Sequence, residues 1–201
     1  MRGQIIRACR LPVSLFEDLL SAFRQDVTTS RYATWEDVLD YCRRSANPVG
    51  RLVLRVAGYE DARLDRQSDA ICTALQLTNF WQDLERDYAK GRVYVPRDVT
   101  ERSGADEADL TARRLTPAWR AALADVASRT RALFAEGKPL CDAVRGRLRW
   151  ELRATWLGGT RILERLHAAE YDVFTTRPSL SIVDAPLLLW RLAAWKAPRE
   201  R

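Results

Sequence analysis

Residues 75–87 read Leu75-Gln-Leu-Thr-Asn79-Phe-Trp-Gln-Asp83-Leu-Glu-Arg-Asp87, and an extended exit, Gly91-Arg-Val-Tyr-Val-Pro96, follows shortly after. At about 100° per residue, Asn79, Asp83 and Asp87 fall within an arc of roughly 80° of a helix, and Gln76 falls inside the same arc. Glu85 points nearly the other way. One face therefore presents two carboxylates, a carboxamide oxygen and a second amide. Spacing alone would equally suit a solvated acidic stripe. The flanking Leu75, Leu77, Phe80 and Trp81 predict a largely buried helix, in which acids are costly without partners. Magnesium takes hard oxygen ligands, keeps several waters and is often shared between carboxylates and phosphates. Two carboxylates one turn apart beside an amide match that demand, and such an ion would neutralise charge on a departing diphosphate. Arg92 and Tyr94 place a cation and a phenol near the end of the acidic row.

Working outward, the period is helical throughout, and no alternating run is long enough to build a sheet. Upstream, Pro12 opens a helix whose stripe is Leu15, Phe16, Leu19, Leu20 and Phe23. Thr34 caps a second helix carrying Trp35, Val38, Leu39, Tyr41 and Cys42. Asn47-Pro48 breaks it, and the pattern resumes to Gly58. The motif helix is expected over 65–90, with a polar loop over 97–111. Downstream, Pro117 opens a helix, Pro139 interrupts the next, and a helix near 140–170 contains Gly158-Gly159, a pair that costs helix stability and invites a packing reason. A last amphipathic helix spans 184–196. The chain reads as one all-α domain over residues 1–201.

Composition narrows the class. Of 201 residues, 47% are hydrophobic and seven are tryptophan, enough to fill a core and too many for a disordered chain. The net charge is +6, from 33 basic and 27 acidic residues, and the basic residues are spread along the chain. A diffuse excess suits an anionic substrate or membrane surface and does not point to nucleic acid. Cys9, Cys42, Cys72 and Cys141 lack metal-ligand spacing and read as buried thiols of a reducing cytosol. The N-terminus lacks the apolar core of a signal peptide. A cytoplasmic protein is expected, with a peripheral contact at the inner membrane surface as an additional reading.

The motif, its Gly91–Pro96 exit, Arg31-Tyr-Ala-Thr-Trp35, Asn47-Pro-Val-Gly50, Trp156-Leu-Gly-Gly159 and Tyr171-Asp-Val-Phe174 together resemble the squalene/phytoene synthases, over nearly the whole chain. Asn79-Phe-Trp-Gln-Asp83, Ser45-Ala-Asn-Pro48 and Trp156–Gly159 are most similar to the hydroxysqualene synthases of bacterial hopanoid pathways. The resemblance implies an all-α isoprenoid synthase bundle around a central cavity. It implies ionisation of presqualene diphosphate, rearrangement of the cation and its capture by water, giving hydroxysqualene and diphosphate. The alternative within the family condenses two farnesyl diphosphates, onward to squalene or phytoene. By position, Asn79, Asp83 and Asp87 would ligate Mg2+, with Asp83, Asp87 and the cavity tyrosine Tyr41 as the catalytic set. Gln76, Asn79, Arg92 and Tyr94 would bind the substrate.

The family pattern carries two acidic motifs on facing helices, and this chain shows one, so an N-terminally incomplete fold is expected. Asp61-Ala-Arg-Leu-Asp65 imitates the spacing but falls where the pattern has a helix connection, and is set aside. Arg86 stands where many relatives place glutamate, and Gly159 where several place tyrosine. His167 reads as a surface or capping residue. Leu187–Lys196 is expected to pack on the bundle, with a membrane-interface contact as its other use. A reading of another class is a non-catalytic helical protein that binds an isoprenoid or a partner.

Overall fold

Prolines and capping side chains set the helix starts. The computed structural model describes residues 11–195. Helix α1 (Val13–Thr28) begins directly after Pro12. Thr34 and Asp37 exchange side-chain and backbone hydrogen bonds of 2.9 and 3.2 Å, a capping box for α2 (Trp35–Ser45). The chain turns at Ala46 and restarts as α3 (Asn47–Val56), with Pro48 in the first turn, where a missing N–H leaves no bond unmade. Asp61 accepts from the Arg63 and Leu64 amides to cap α4 (Ala62–Gln82). Asp65 ties α4 to α3 through Arg55 at 2.9 Å. Asp61 and Asp65 thus serve a cap and a packing contact, as expected for an imitation of the acidic motif.

The helix expected over 65–90 is two helices. α4 stops at Gln82, and α5 (Leu84–Ala89) begins after Asp83, whose φ and ψ are −101° and 12°. The amide of Asp83 still donates to the Asn79 carbonyl and that of Asp87 to the Asp83 carbonyl, at 2.9 and 2.8 Å, so the turn register survives. The expected loop over 97–111 holds two short helices, α6 (Arg97–Ser103) and α7 (Glu107–Thr111), anchored by the buried Val99 and Leu110. Single apolar anchors are too sparse to register as helical periodicity. Thr116 caps α8 (Pro117–Gly137). The expected 140–170 helix divides into a one-turn α9 (Leu140–Ala143) and α10 (Gly146–Ala168). A 3-10 turn (Ile182–Asp184) leads into α11 (Ala185–Ala193). Cys9 and Lys196 lie outside the described residues.

α4 is the hub, packed on α3, α8 and α10. One buried cluster gathers Trp35, Leu77, Trp81, Trp119 and Phe134. A second gathers Leu54, Leu64, Ile71 and Leu140. Three indoles find acceptors for their N–H groups: Trp81 on Thr130 Oγ1 at 2.9 Å, Trp119 on the Asp106 carbonyl at 2.7 Å and Trp156 on the Phe134 carbonyl at 2.7 Å. The α1 stripe is only half used. Leu15 is buried, but Leu20 and Phe23 are 55% and 58% exposed, because α1 packs on α2 and α3 along one side only.

Two glycines mark the closest approaches. A Cβ on Gly159 would collide with Phe134 and come 2.8 Å from Leu75 Cδ2, the packing reason for the Gly158-Gly159 pair. A Cβ on Gly137 would collide with Ile71 and lie 2.8 Å from the Gln67 carbonyl oxygen, where α8 meets the α4 backbone. Gly137→Ala is expected to cost about 1–3 kcal/mol despite alanine's better helix propensity, since backbone cannot step aside as a side chain can. Urea unfolding followed by circular dichroism measures it.

Candidate functional site

The α4–α5 junction carries the acidic face. Asn79 is exposed, Gln76 is half-buried, and Asp83 and Asp87 are partly buried at the break between the helices. Arg177 reaches Asp83 from a segment 94 residues away in the chain, with Nε on Oδ1 at 2.5 Å and Nη2 on Oδ2 at 3.0 Å. That bidentate fork fixes the carboxylate's plane. Gln82, next to Asp83, donates to the Pro178 carbonyl and pins the segment that carries Arg177. Arg86 adds a longer ion pair to Asp83 at 3.9 Å. Burial, with Asp83 beside it, raises the Asp87 carboxyl above its ordinary pKa.

Tyr41 and Tyr94, far apart in sequence, stand in one aromatic wall. Tyr94 stacks face to face on Phe80, with ring centroids 3.7 Å apart and planes at 2°. Tyr41 lies 6.0 Å from Phe80 and 6.3 Å from Tyr94, and Tyr32 closes the group at 5.7 Å from Tyr41. Burial, with Asp26 beside it, pushes the Tyr41 hydroxyl well above the usual phenol range, and burial likewise raises Tyr94. Both are neutral hydroxyls at physiological pH. Arg92 donates to the Asp26 carbonyl at 3.0 Å and bridges α1 to the strand-like exit. That exit is held by the Arg31–Val93 bridge, the sole β pairing among the described residues.

Sequence reasoning missed Arg177, the role of Phe80 as stacking partner of Tyr94, and Tyr32. No local spacing rule connects Arg177 to Asp83, since the pair is made by tertiary folding. Among the described residues, no group of three or more histidine, cysteine, aspartate or glutamate side chains is placed to hold a metal. The donors that are present suit a hard divalent cation: two carboxylates one turn apart, an exposed amide, and a crowded Asp87 whose charge a cation would relieve. The cysteines take no part. Burial pushes the thiols up to about 12 for Cys42 and Cys141 and about 11 for Cys72, so they stay protonated. His167 lies near the end of α10 and hydrogen-bonds the Tyr171 hydroxyl at 3.2 Å.

The chain is similar to hydroxysqualene synthase of Rhodopseudomonas palustris, 41% identical over 155 residues, covering 76% of this chain and 53% of that protein. It is also similar to phytoene synthase of Thermus thermophilus, 32% identical over 192 residues, covering 94% of this chain and 65% of the relative. Among solved structures, squalene synthase HpnC from Alicyclobacillus acidocaldarius superposes with a TM-score of 0.81 at 46% identity, over 83% of this chain and 64% of that one. A dehydrosqualene synthase shares the fold at a TM-score of 0.84 and 21% identity. The chain spans about half the length of the hydroxysqualene synthases it matches. The family model for squalene/phytoene synthase matches residues 3–184, and with the all-α isoprenoid synthase fold this establishes that the chain belongs to the squalene/phytoene synthase family.

Proposed function

We propose that the chain forms the diphosphate-handling wall of a magnesium-dependent isoprenoid synthase that converts presqualene diphosphate to hydroxysqualene. One observation carries the reading: at the α4–α5 junction Asp83 meets the Arg177 guanidinium with Asp87 one turn on, beside the stack that Phe80 of α4 makes with Tyr94 of the exit segment. The relatives named hydroxysqualene synthase, 41–43% identical, support it. Packing of α4 into both buried clusters supports treating the chain as one domain.

Asn79, Asp83 and Asp87 would hold Mg2+ through oxygen. Bound there, the ion supplies charge neutralisation for a diphosphate leaving group. Arg92 and Arg177 would receive the diphosphate oxygens, Arg177 by exchanging its fork on Asp83 for phosphate as the carboxylate turns to the metal, since planar guanidinium forks match both anions. The carbon–oxygen bond breaks with its electron pair leaving on diphosphate. The faces of Tyr94, Phe80 and Tyr41 offer π density to the cation left behind. The cation rearranges with opening of its cyclopropane ring, water adds to the rearranged cation, and the proton released passes to bulk water or to the departing diphosphate. Neither tyrosine is a base, because both hydroxyls are held protonated.

The second reading, condensation of two prenyl diphosphates, is favoured by relatives named phytoene synthase at 29–32% identity. The chain, and any longer natural protein that contains it, should be incubated with Mg2+ and either presqualene diphosphate or farnesyl diphosphate. Hydroxysqualene with released diphosphate is the expected product of the first. Squalene or phytoene as sole product would replace the first reading by the second.

A further inference from the structure

The Arg177–Asp83 pair closes a strap whose two ends are anchored independently of it. Residues 172–181 run without helix between α10 and the 3-10 turn at Ile182. At one end, Asp172 accepts from the Phe174 and Thr175 amides at 3.0 and 3.1 Å and from the Thr175 hydroxyl at 2.8 Å. At the other end, Asp184 is 1% exposed and accepts from Arg161, Arg165 and the Ser181 amide, at 2.9, 3.0 and 2.9 Å. That clamp also sets α11 with Leu189 and Trp190 facing outward, 65% and 67% exposed.

Between these anchors, the hydrogen bonds of residues 176–180 with other described residues all go to the α4–α5 junction. The Arg177 guanidinium forks onto Asp83, and the Pro178 carbonyl accepts from Gln82. The middle of the strap is thus fastened to a carboxylate of the acidic row. The fork engages both oxygens of Asp83, so an entering divalent cation competes with the guanidinium for them and is repelled by its charge. The ion pairs at the junction, from Arg177 and Arg86, both go to Asp83 and none to Asp87. Asp87, one turn on, stays open to the same cation.

We propose that Arg177 is a built-in counter-cation and the 172–181 strap a latch that a divalent cation opens. On entry the ion takes Asp83 and Asp87, and Arg177 lifts from the junction together with Pro178. The two anchored ends keep the displacement local, so α10 and α11 stay in place. The freed guanidinium then has no carboxylate partner and is available to an anion, so cation entry precedes diphosphate. The latch rests on the metal-binding reading of Asp83 and Asp87 and adds the regulation of that site: it is shut until the ion arrives.

Mn2+ titration of the whole chain, followed by loss of the free-ion electron paramagnetic resonance signal, tests this without substrate. Arg177→Gln removes the competing charge and should tighten Mn2+ binding about three- to tenfold. Adding Asp87→Asn should abolish that gain, which assigns it to this junction. In the parent chain, Mg2+ should speed chymotryptic cleavage at Phe174 and Leu180, and in Arg177→Gln the cleavage should be fast with or without the ion. Circular dichroism checks that each variant keeps its helices, and the cleavage of the parent needs no variant at all. The latch falls if the folded Arg177→Gln binds Mn2+ no tighter than the parent, if neither chain binds it, or if the gain survives Asp87→Asn. It also falls if Mg2+ leaves the parent's cleavage unchanged or slows it. A tightened Mn2+ site in a chain that does not turn over presqualene diphosphate would remove the proposed reaction and leave the latch standing.

Discussion

Under the proposed reaction, replacing Asp83 and Asp87 by asparagine is expected to cut turnover of presqualene diphosphate by about 10³-fold or more, following the loss of preorganised charge at a departing anion. Each single variant should lose nearly as much as the pair, because groups that act as one unit are not additive. Steady-state assays with a magnesium titration read both the rate and the metal dependence. The two singles should separate in stability. Asp83→Asn gives up its bidentate Arg177 partner and is mildly destabilising, since both side chains are partly exposed, at 25% and 31%. Asp87→Asn should unfold no more easily than the parent. Burial and Asp83 raise the Asp87 carboxyl in the folded chain, so its ionisation opposes folding once pH rises past the unfolded value. A neutral amide removes that opposition. Lost activity with kept or improved stability is the signature of a group maintained for function. A destabilised Asp87→Asn would mark a structural acid instead.

The largest stability effect is expected at Trp81. Its ring is fully buried, and its N–H donates to Thr130, which itself donates to the Val126 carbonyl at 2.7 Å. Trp81→Ala should cost about 3–5 kcal/mol, through lost burial and the cavity left behind. For a chain of this size that is a fall in melting temperature of roughly 6–20 °C. Thr130→Val should cost about 1–3 kcal/mol by stranding the indole N–H. Since the two changes remove one shared bond, the double variant should cost less than the sum of the singles. Calorimetry on the four proteins closes the cycle, and strict additivity would show that Trp81 contributes through packing alone.

The acidic row across the α4–α5 junction illustrates what local sequence can encode. Hydrogen-bonded turns impose their own period, so the alignment of Asn79, Asp83 and Asp87 is fixed by spacing. Caps are likewise local: Thr34 with Asp37, and Pro12 and Pro48 at helix starts, act within a few residues of themselves. Asp61 and Asp65 show the limit of spacing. Their pattern copies the acidic motif, and only their partners, the Arg63 amide and the Arg55 guanidinium, reveal a cap and a brace.

What the sequence by itself determined was the helical class, the acidic row and the family. Each rests on contacts between near neighbours or on a motif that a chain carries without folding. The tertiary structure alone decided that Arg177 takes Asp83, that Tyr41 and Tyr94 share one wall with Phe80, and that α11 turns its apolar side outward. These depend on which distant surfaces meet. The Gln82–Pro178 tie, the Gly137 approach and the Asp184 clamp each join segments that no periodicity connects.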